Sequence, residues 1–315
     1  PNDKLLAISG MPYDTLTDVI LAENKGSLKD FGVQFDHIDL LTNEDLSSSF
    51  NCEKIKDYLI ANAPVKAVFL ARSRGYSWRQ AINNADIQKI VKFVKEISPK
   101  TLILVDNCYG EFVEKIEPTE VGADLIAGSL IKNIGGGIAP TGGYIAGKAE
   151  LVDQVSYRLT APSIGMEVGS YLGGYLPYYQ GLFLAPSVTK NALKGSLLFA
   201  KAYSKLGYST LPCGDLNPYD IVTSIKLESA EKLIAFCGAI QEISPIDSNV
   251  VPMPWAMPGY QDEVIMAAGT FIQGASIELS SDGPLKPPYI VYIQGGLTYE
   301  HARLAVEHTL SKLNN

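Results

Sequence analysis

Two hydrophobic rhythms alternate along the first half of the chain. Short apolar blocks of strand length (Lys4–Ser9, Lys66–Ala71, Leu102–Val105) are separated by stretches whose apolar residues recur three and four positions apart. Asn84–Ile97 shows the second rhythm plainly, with Ile87, Ile90, Val91 and Val94 on one helical face. Asp14–Glu23 and Cys52–Asn62 are further predicted helices, and Val33–Asp39, Asp124–Gly128 and Thr141–Ala146 further strands. Leu102-Ile-Leu-Val is aliphatic throughout, as expected of a strand covered on both faces. Strand and helix in repetition imply right-handed crossovers and a mainly parallel sheet with helices on both sides.

The pattern changes after residue 150. Glu150–Tyr157, Gly165–Tyr179 and Ser187–Leu206 are predicted helices, the last closing at Gly207. Asp220–Leu227 is a predicted strand and Ala230–Ile243 a helix, followed by a loop over Pro252–Tyr260 rich in proline and aromatics. Strand-like stretches then fall at Ile265–Phe271, Ser276–Leu279 and Tyr289–Gln294, before a final helix over His301–Leu313. The expected division is a large α/β domain, 1–186, and a smaller α+β domain, 187–315, entered through the long helix.

Composition narrows the function. With 46% hydrophobic and 19% charged residues the chain has ample material for a core, which excludes disorder. No apolar run reaches the ~18 residues that a membrane helix needs. A net charge of −8 argues against nucleic acid or an anionic membrane as partner. Four scattered cysteines without a CxxC or a Cys–His cluster support neither zinc nor disulfides, so a reduced, cytoplasmic setting is expected. His301 and His308 lie two helical turns apart with no carboxylate set beside them, so they read as surface residues and no metal site is expected. The chain opens on Pro1 without an initiator Met, and residues upstream of it are expected.

In open parallel sheets ligands bind at the carboxyl ends of strands. Two such ends carry chemistry here. Asp106 closes the aliphatic strand in Val105-Asp-Asn-Cys-Tyr-Gly110, where a lone carboxylate is costly unless something cationic faces it or it caps a turn. Lys132 follows a second strand in Ala127-Gly-Ser-Leu-Ile-Lys132, with glycines beyond it. In apolar surroundings such a lysine loses its proton more readily and forms imines with aldehydes; the alternative is an ordinary loop lysine. Together the pair suits pyridoxal 5′-phosphate, whose aldehyde needs a lysine and whose ring nitrogen needs a carboxylate. Ser129 is placed to donate to the phosphate. A dinucleotide fingerprint, GxGxxG between an early strand and helix, is absent.

Six segments carry a resemblance across essentially the whole chain: VDNCYGEF (105–112), GADLIAGSLIKNIGGGIAPTGGYIAG (122–147), RLTAPSIGMEVG (158–169), YQGLFLAP (179–186), AAGTFIQGASIELSSDGP (267–284) and PPYIVYIQGGLTYEH (287–301). The chain resembles the fold-type I pyridoxal-phosphate enzymes of cysteine and methionine metabolism, within them the aluminium resistance or cystathionine β-lyase-like branch. The resemblance implies a fold-type I transferase-like architecture with a seven-stranded type of sheet. It makes Lys132 the Schiff-base lysine, Asp106 the ring-nitrogen partner, Ser129 a phosphate ligand and Tyr13 a ring-stacking, proton-moving residue. The residue before the lysine is Ile131, where better-known relatives have a phosphate-binding Thr.

For a substrate carboxylate the candidates are Arg74, Arg158 and Lys286, the two arginines of Arg72-Ser-Arg74 following a strand tip. The implied activity is carbon–sulfur bond cleavage in a small amino acid by β- or γ-elimination, in a homodimer or homotetramer. Aminotransferase or racemase chemistry, or a non-catalytic relative, are the alternatives.

Overall fold

The apolar blocks of the first half become adjacent strands of one sheet. The computed structural model describes residues 1–42, 48–213, 217–257 and 260–313. Its first elements are β1 (Lys4–Ala7), α1 (Asp14–Leu21), β2 (Gln34–His37), the short β3 (Leu41–Thr42) and β4 (Ser48–Ser49), α2 (Cys52–Ala61), β5 (Ala67–Ala71), α3 (Asn84–Ile97) and β6 (Leu102–Asp106). Next come β7 (Leu125–Ser129), β8 (Gly143–Gly147), α4 (Ala149–Leu159) and α5 (Leu176–Lys205). The last are β9 (Thr210–Leu211), β10 (Val222–Lys226), α6 (Ala230–Glu242), β11 (Val264–Ala267), β12 (Ser280–Pro284), β13 (Ile290–Gln294) and α7 (Tyr299–Leu313).

The first sheet runs β2-β1-β5-β6-β7-β8. All neighbouring pairs are parallel except β7 and β8. Among the described residues this sheet has six strands, and its edge strand β8 is reversed. The loop from 130 to 142 holds only a short 3-10 turn, too little for the crossover helix that a parallel return requires. α3 starts where Asn83 Oδ1 accepts the Asp86 N–H at 2.8 Å. Its Ile87, Ile90, Val91 and Val94 then join Val68, Leu70, Ile103, Val105 and Ile126 in the main core.

The second sheet, β11-β12-β13-β10-β9, is antiparallel. Its core joins Phe199 and Tyr203 of α5 to Phe236, Ile240, Ile265 and Ile293. α5 begins at Leu176 and runs through Pro186, eleven residues ahead of the predicted start. The helix predicted over Gly165–Tyr179 is mostly turns, because Gly165, Gly169 and Gly174 adopt left-handed φ of +55°, +83° and +69°. The strand predicted at Ser276–Leu279 falls instead on the polar Ser280–Pro284, which pairs with β11 and β13. Pro258 and Gly259 of the predicted aromatic loop lie outside the described residues. Among the described residues no helix is long and apolar enough to cross a membrane.

Candidate active site

Four chain segments leave the carboxyl ends of β1, β5, β6 and β7 on one side of the sheet. Asp106, the last residue of β6, pairs in register with Ala71 and Ala127. Side chains alternate along strands, so Asp106, Ala127 and Ser129 share one face. Val105, Ile126 and Gly128 take the other. Ala127 is exposed and offers only a methyl group, which leaves an open floor beside the carboxylate. Asp106 Oδ1 accepts the Cys108 N–H at 3.0 Å, so the turn fixes its direction. Ser129 Oγ accepts the Ile131 N–H at 3.4 Å.

Lys132 is partly buried, and its Nζ stands 4.4 Å from the centroid of the Tyr109 ring. Among the described residues no carboxylate lies within ion-pair distance of that nitrogen. Burial pulls the Lys132 pKa down, but the Tyr109, Cys108, Asp106 and Tyr13 groups around it pull it up and prevail. The net direction is upward, opposite to the expectation that this lysine sheds its proton easily. Tyr13 precedes α1 and is 51% exposed. Its phenol pKa is raised by burial and by Asp106, with Lys132 opposing. Burial, helped by Asp106, pushes the Cys108 thiol up to about 12, so it is no thiolate. The fold thus brings Tyr13, Asp106, Ser129 and Lys132 to one end of the sheet.

The sequence reading missed three neighbours. Tyr109, three residues beyond Asp106, holds φ +70° and donates its hydroxyl to Ser276 Oγ at 3.0 Å, tying the strand tip to the second half of the chain. Its place just past a loaded strand tip was the available signal. Glu111 is buried behind the sheet, accepts the Tyr144 hydroxyl at 2.9 Å, and has its Oε2 without a partner. Burial pushes its carboxyl group up to about 8. Asp282 comes from β12, far along the chain, and nothing local announces it.

The candidate cations for a substrate are placed otherwise than expected. Arg74 is buried, with Nη2 and Nε donating to Asp220 at 2.9 and 3.2 Å, so its fork is occupied by the protein itself. Arg72 is wholly buried and braces the loop after β6, donating to Asn107 Oδ1, Gly110 O, Ile82 O and Glu114. Arg158 stacks on Phe31, its guanidinium 4.9 Å from the ring centroid. Phe31 leads into β2, so this contact lies at the amino ends of the parallel strands, opposite Asp106. Lys286 is exposed and paired with Asp262 at 2.8 Å. His308 pairs with Glu242, and His301 meets the Ile243 carbonyl.

A mainly parallel sheet with a lysine and an aspartate at neighbouring strand tips has the architecture of the fold-type I pyridoxal-phosphate enzymes. The fold is shared with MetB of Corynebacterium glutamicum, at a TM-score of 0.63 and 16% identity over 99% of this chain and 76% of that one. The chain belongs to the methionine gamma-lyase family, whose model matches residues 1–314. It is 49% identical over 309 residues to the uncharacterized protein YnbB of Bacillus subtilis (strain 168), covering 97% of this chain and 72% of YnbB. It is also similar to a carbon-sulfur lyase involved in aluminum resistance from Clostridium novyi NT, with 49% identity and a TM-score of 0.93 over 99% of this chain and 73% of that one.

Proposed function

We propose that this protein is a pyridoxal-phosphate-dependent carbon–sulfur lyase that cleaves a small sulfur-containing amino acid by β- or γ-elimination. One observation carries the reading: Lys132 and Asp106 leave adjacent strand tips and flank the open floor at Ala127. The donor set fits the cofactor. Lys132 supplies the amine for its aldehyde, Asp106 a carboxylate for its ring nitrogen, Ser129 a hydroxyl for its phosphate and Tyr13 a half-exposed ring. When bound, the cofactor supplies an electron-withdrawing ring that stabilises the electron pair left at the substrate Cα.

The remaining work falls to protein groups. Lys132 Nζ, once its positive charge is relieved, takes the proton from the substrate Cα. The Tyr13 phenol, which keeps its proton, donates to the departing sulfur. Asp106 stays fixed by its turn and holds the ring nitrogen protonated. The setting we assign is cytoplasmic. Exposed Leu159, Leu172, Leu176 and Phe183 support a homodimer or homotetramer.

The reading is tested by borohydride reduction of the cofactor-loaded protein and peptide mapping, with thiol release measured from methionine, cysteine and cystathionine. A reduced adduct on Lys132, absent in Lys132→Ala, together with thiol release, is expected. An adduct elsewhere, or keto-acid without thiol, overturns it, the latter in favour of transamination.

A further inference from the structure

Among the described residues no cation pairs with Asp282. It pairs in register with Met266 and Tyr292, so these side chains share one face of the second sheet. That face meets the strand tips of the first sheet: the Tyr292 hydroxyl donates to the Tyr76 carbonyl at 2.6 Å, in the loop after β5. The Tyr76 ring stands 5.0 Å from that of Tyr292 and 5.8 Å from that of Tyr260. Asp282 Oδ2 receives a long bond of 3.5 Å from Gln294 Nε2. Oδ1 is buried and has no hydrogen-bond partner.

Glu111 shares this want of a partner at its Oε2, but it lies on the other face of the first sheet, against Gly128 and Tyr144. Three other carboxylates are answered. Asp220 has Arg74, Asp124 has Lys95 and Lys148, and Glu278 has the Phe271 and Ile272 N–H groups. For Asp282, burial pushes the pKa up to about 7, with the Gln294 amide and Tyr76 hydroxyl opposing. Lys132 lies over the Tyr109 ring, the Tyr109 hydroxyl is bonded to Ser276 next to the second sheet, and Tyr292 reaches the loop after β5, so Asp282 lies on the face that meets the strand tips carrying the amine. Tyr76, Tyr109 and Tyr260 are each partly exposed.

We propose that Asp282, with the rings of Tyr76, Tyr260 and Tyr292, is a subsite for a positively charged nitrogen at the far end of the substrate's side chain. A carboxylate among tyrosine faces offers a cation both an ion pair and ring electrostatics. A far-end carboxylate finds no such welcome, because Arg74 and Lys286 are held by Asp220 and Asp262. The proposal rests on the lyase reading and narrows it to thioether amino acids whose sulfur substituent ends in an ammonium group.

Two pairs of probes test it on the cofactor-loaded protein. L-Lysine and L-norleucine carry no sulfur to eliminate, so calorimetry reports binding alone. L-Lysine is expected to bind at least about tenfold more tightly, the scale of a hydrogen bond to a charged group, and Asp282→Asn to erase the difference. Equal or tighter binding of norleucine, or a preference that survives Asp282→Asn, overturns the proposal. If Asp282→Asn does not fold, the wild-type ratio decides, and Tyr260→Leu is expected to weaken lysine more than norleucine. Thiol release from S-(2-aminoethyl)-L-cysteine is expected to exceed that from S-propyl-L-cysteine in the same sense. Release from neither, with the lysine preference intact, overturns the lyase reading and supports the subsite.

Discussion

Arg74 and Asp220 are 146 positions apart and face each other through two hydrogen bonds of 2.9 and 3.2 Å, both side chains almost wholly out of water. The pair joins the loop after β5 to the strand region ahead of β10, and so holds the two sheets against each other. Arg74→Met leaves the Asp220 charge buried and alone, at a cost of about 3–5 kcal/mol. Removing both charges with Arg74→Met and Asp220→Leu is expected to recover most of that. Urea midpoints of the three proteins check this. An Arg74→Met protein with an unchanged midpoint and only a raised KM would return Arg74 to substrate binding.

Glu111 makes stability depend on pH. Its carboxyl group, ordinarily near 4.5, is pushed up to about 8 in the folded chain, so folding takes up a proton between those values. The resulting stabilisation is full below the ordinary value and is lost as the pH rises through about 8, at roughly 1 kcal/mol per pH unit. Glu111→Gln mimics the protonated form. Its melting temperature should match the wild type near pH 5 and exceed it at pH 9. Parallel curves for the two proteins would show that Glu111 is ionised throughout.

Gly128 lies under the same carboxyl group. A Cβ there would run into the Glu111 carboxylate and the Tyr144 ring. Gly128→Ala is therefore expected to cost about 1–3 kcal/mol by overpacking. Denaturant unfolding measures it, and an unchanged midpoint would mean that this layer is loosely packed.

Lys132→Arg keeps the positive charge over Tyr109 and removes the ability to give up a proton. Activity should fall by at least ~10²–10⁴, the usual contribution of a positioned base, while the thermal midpoint of the cofactor-free chain stays where it was. Retained turnover would assign proton transfer to another group, with Tyr13 the first to examine.

Much of this architecture is legible along the chain. The periodicity of Asn84–Ile97 locates α3, because its four buried aliphatics must recur at helical spacing to reach β5 and β6. The aliphatic run before Asp106 marks a central strand for a similar reason. The polar strand Ser280–Pro284 is hidden, since pairing with β11 and β13 overrides what Ser-Ser-Asp prefers alone.

The sequence by itself determined the alternation of strands and helices, the mainly parallel sheet, and Asp106 and Lys132 as the chemically loaded ends. Those features are local: a strand's length, its covering and the residue at its tip are written in neighbouring positions. Tertiary structure decided how the cations are used. Arg74, Arg72 and Lys286 look available along the chain, but each is held by an acid supplied from elsewhere in the sequence. It decided Asp282 as well, because a carboxylate's want of a partner exists only once distant strands have closed water out around it.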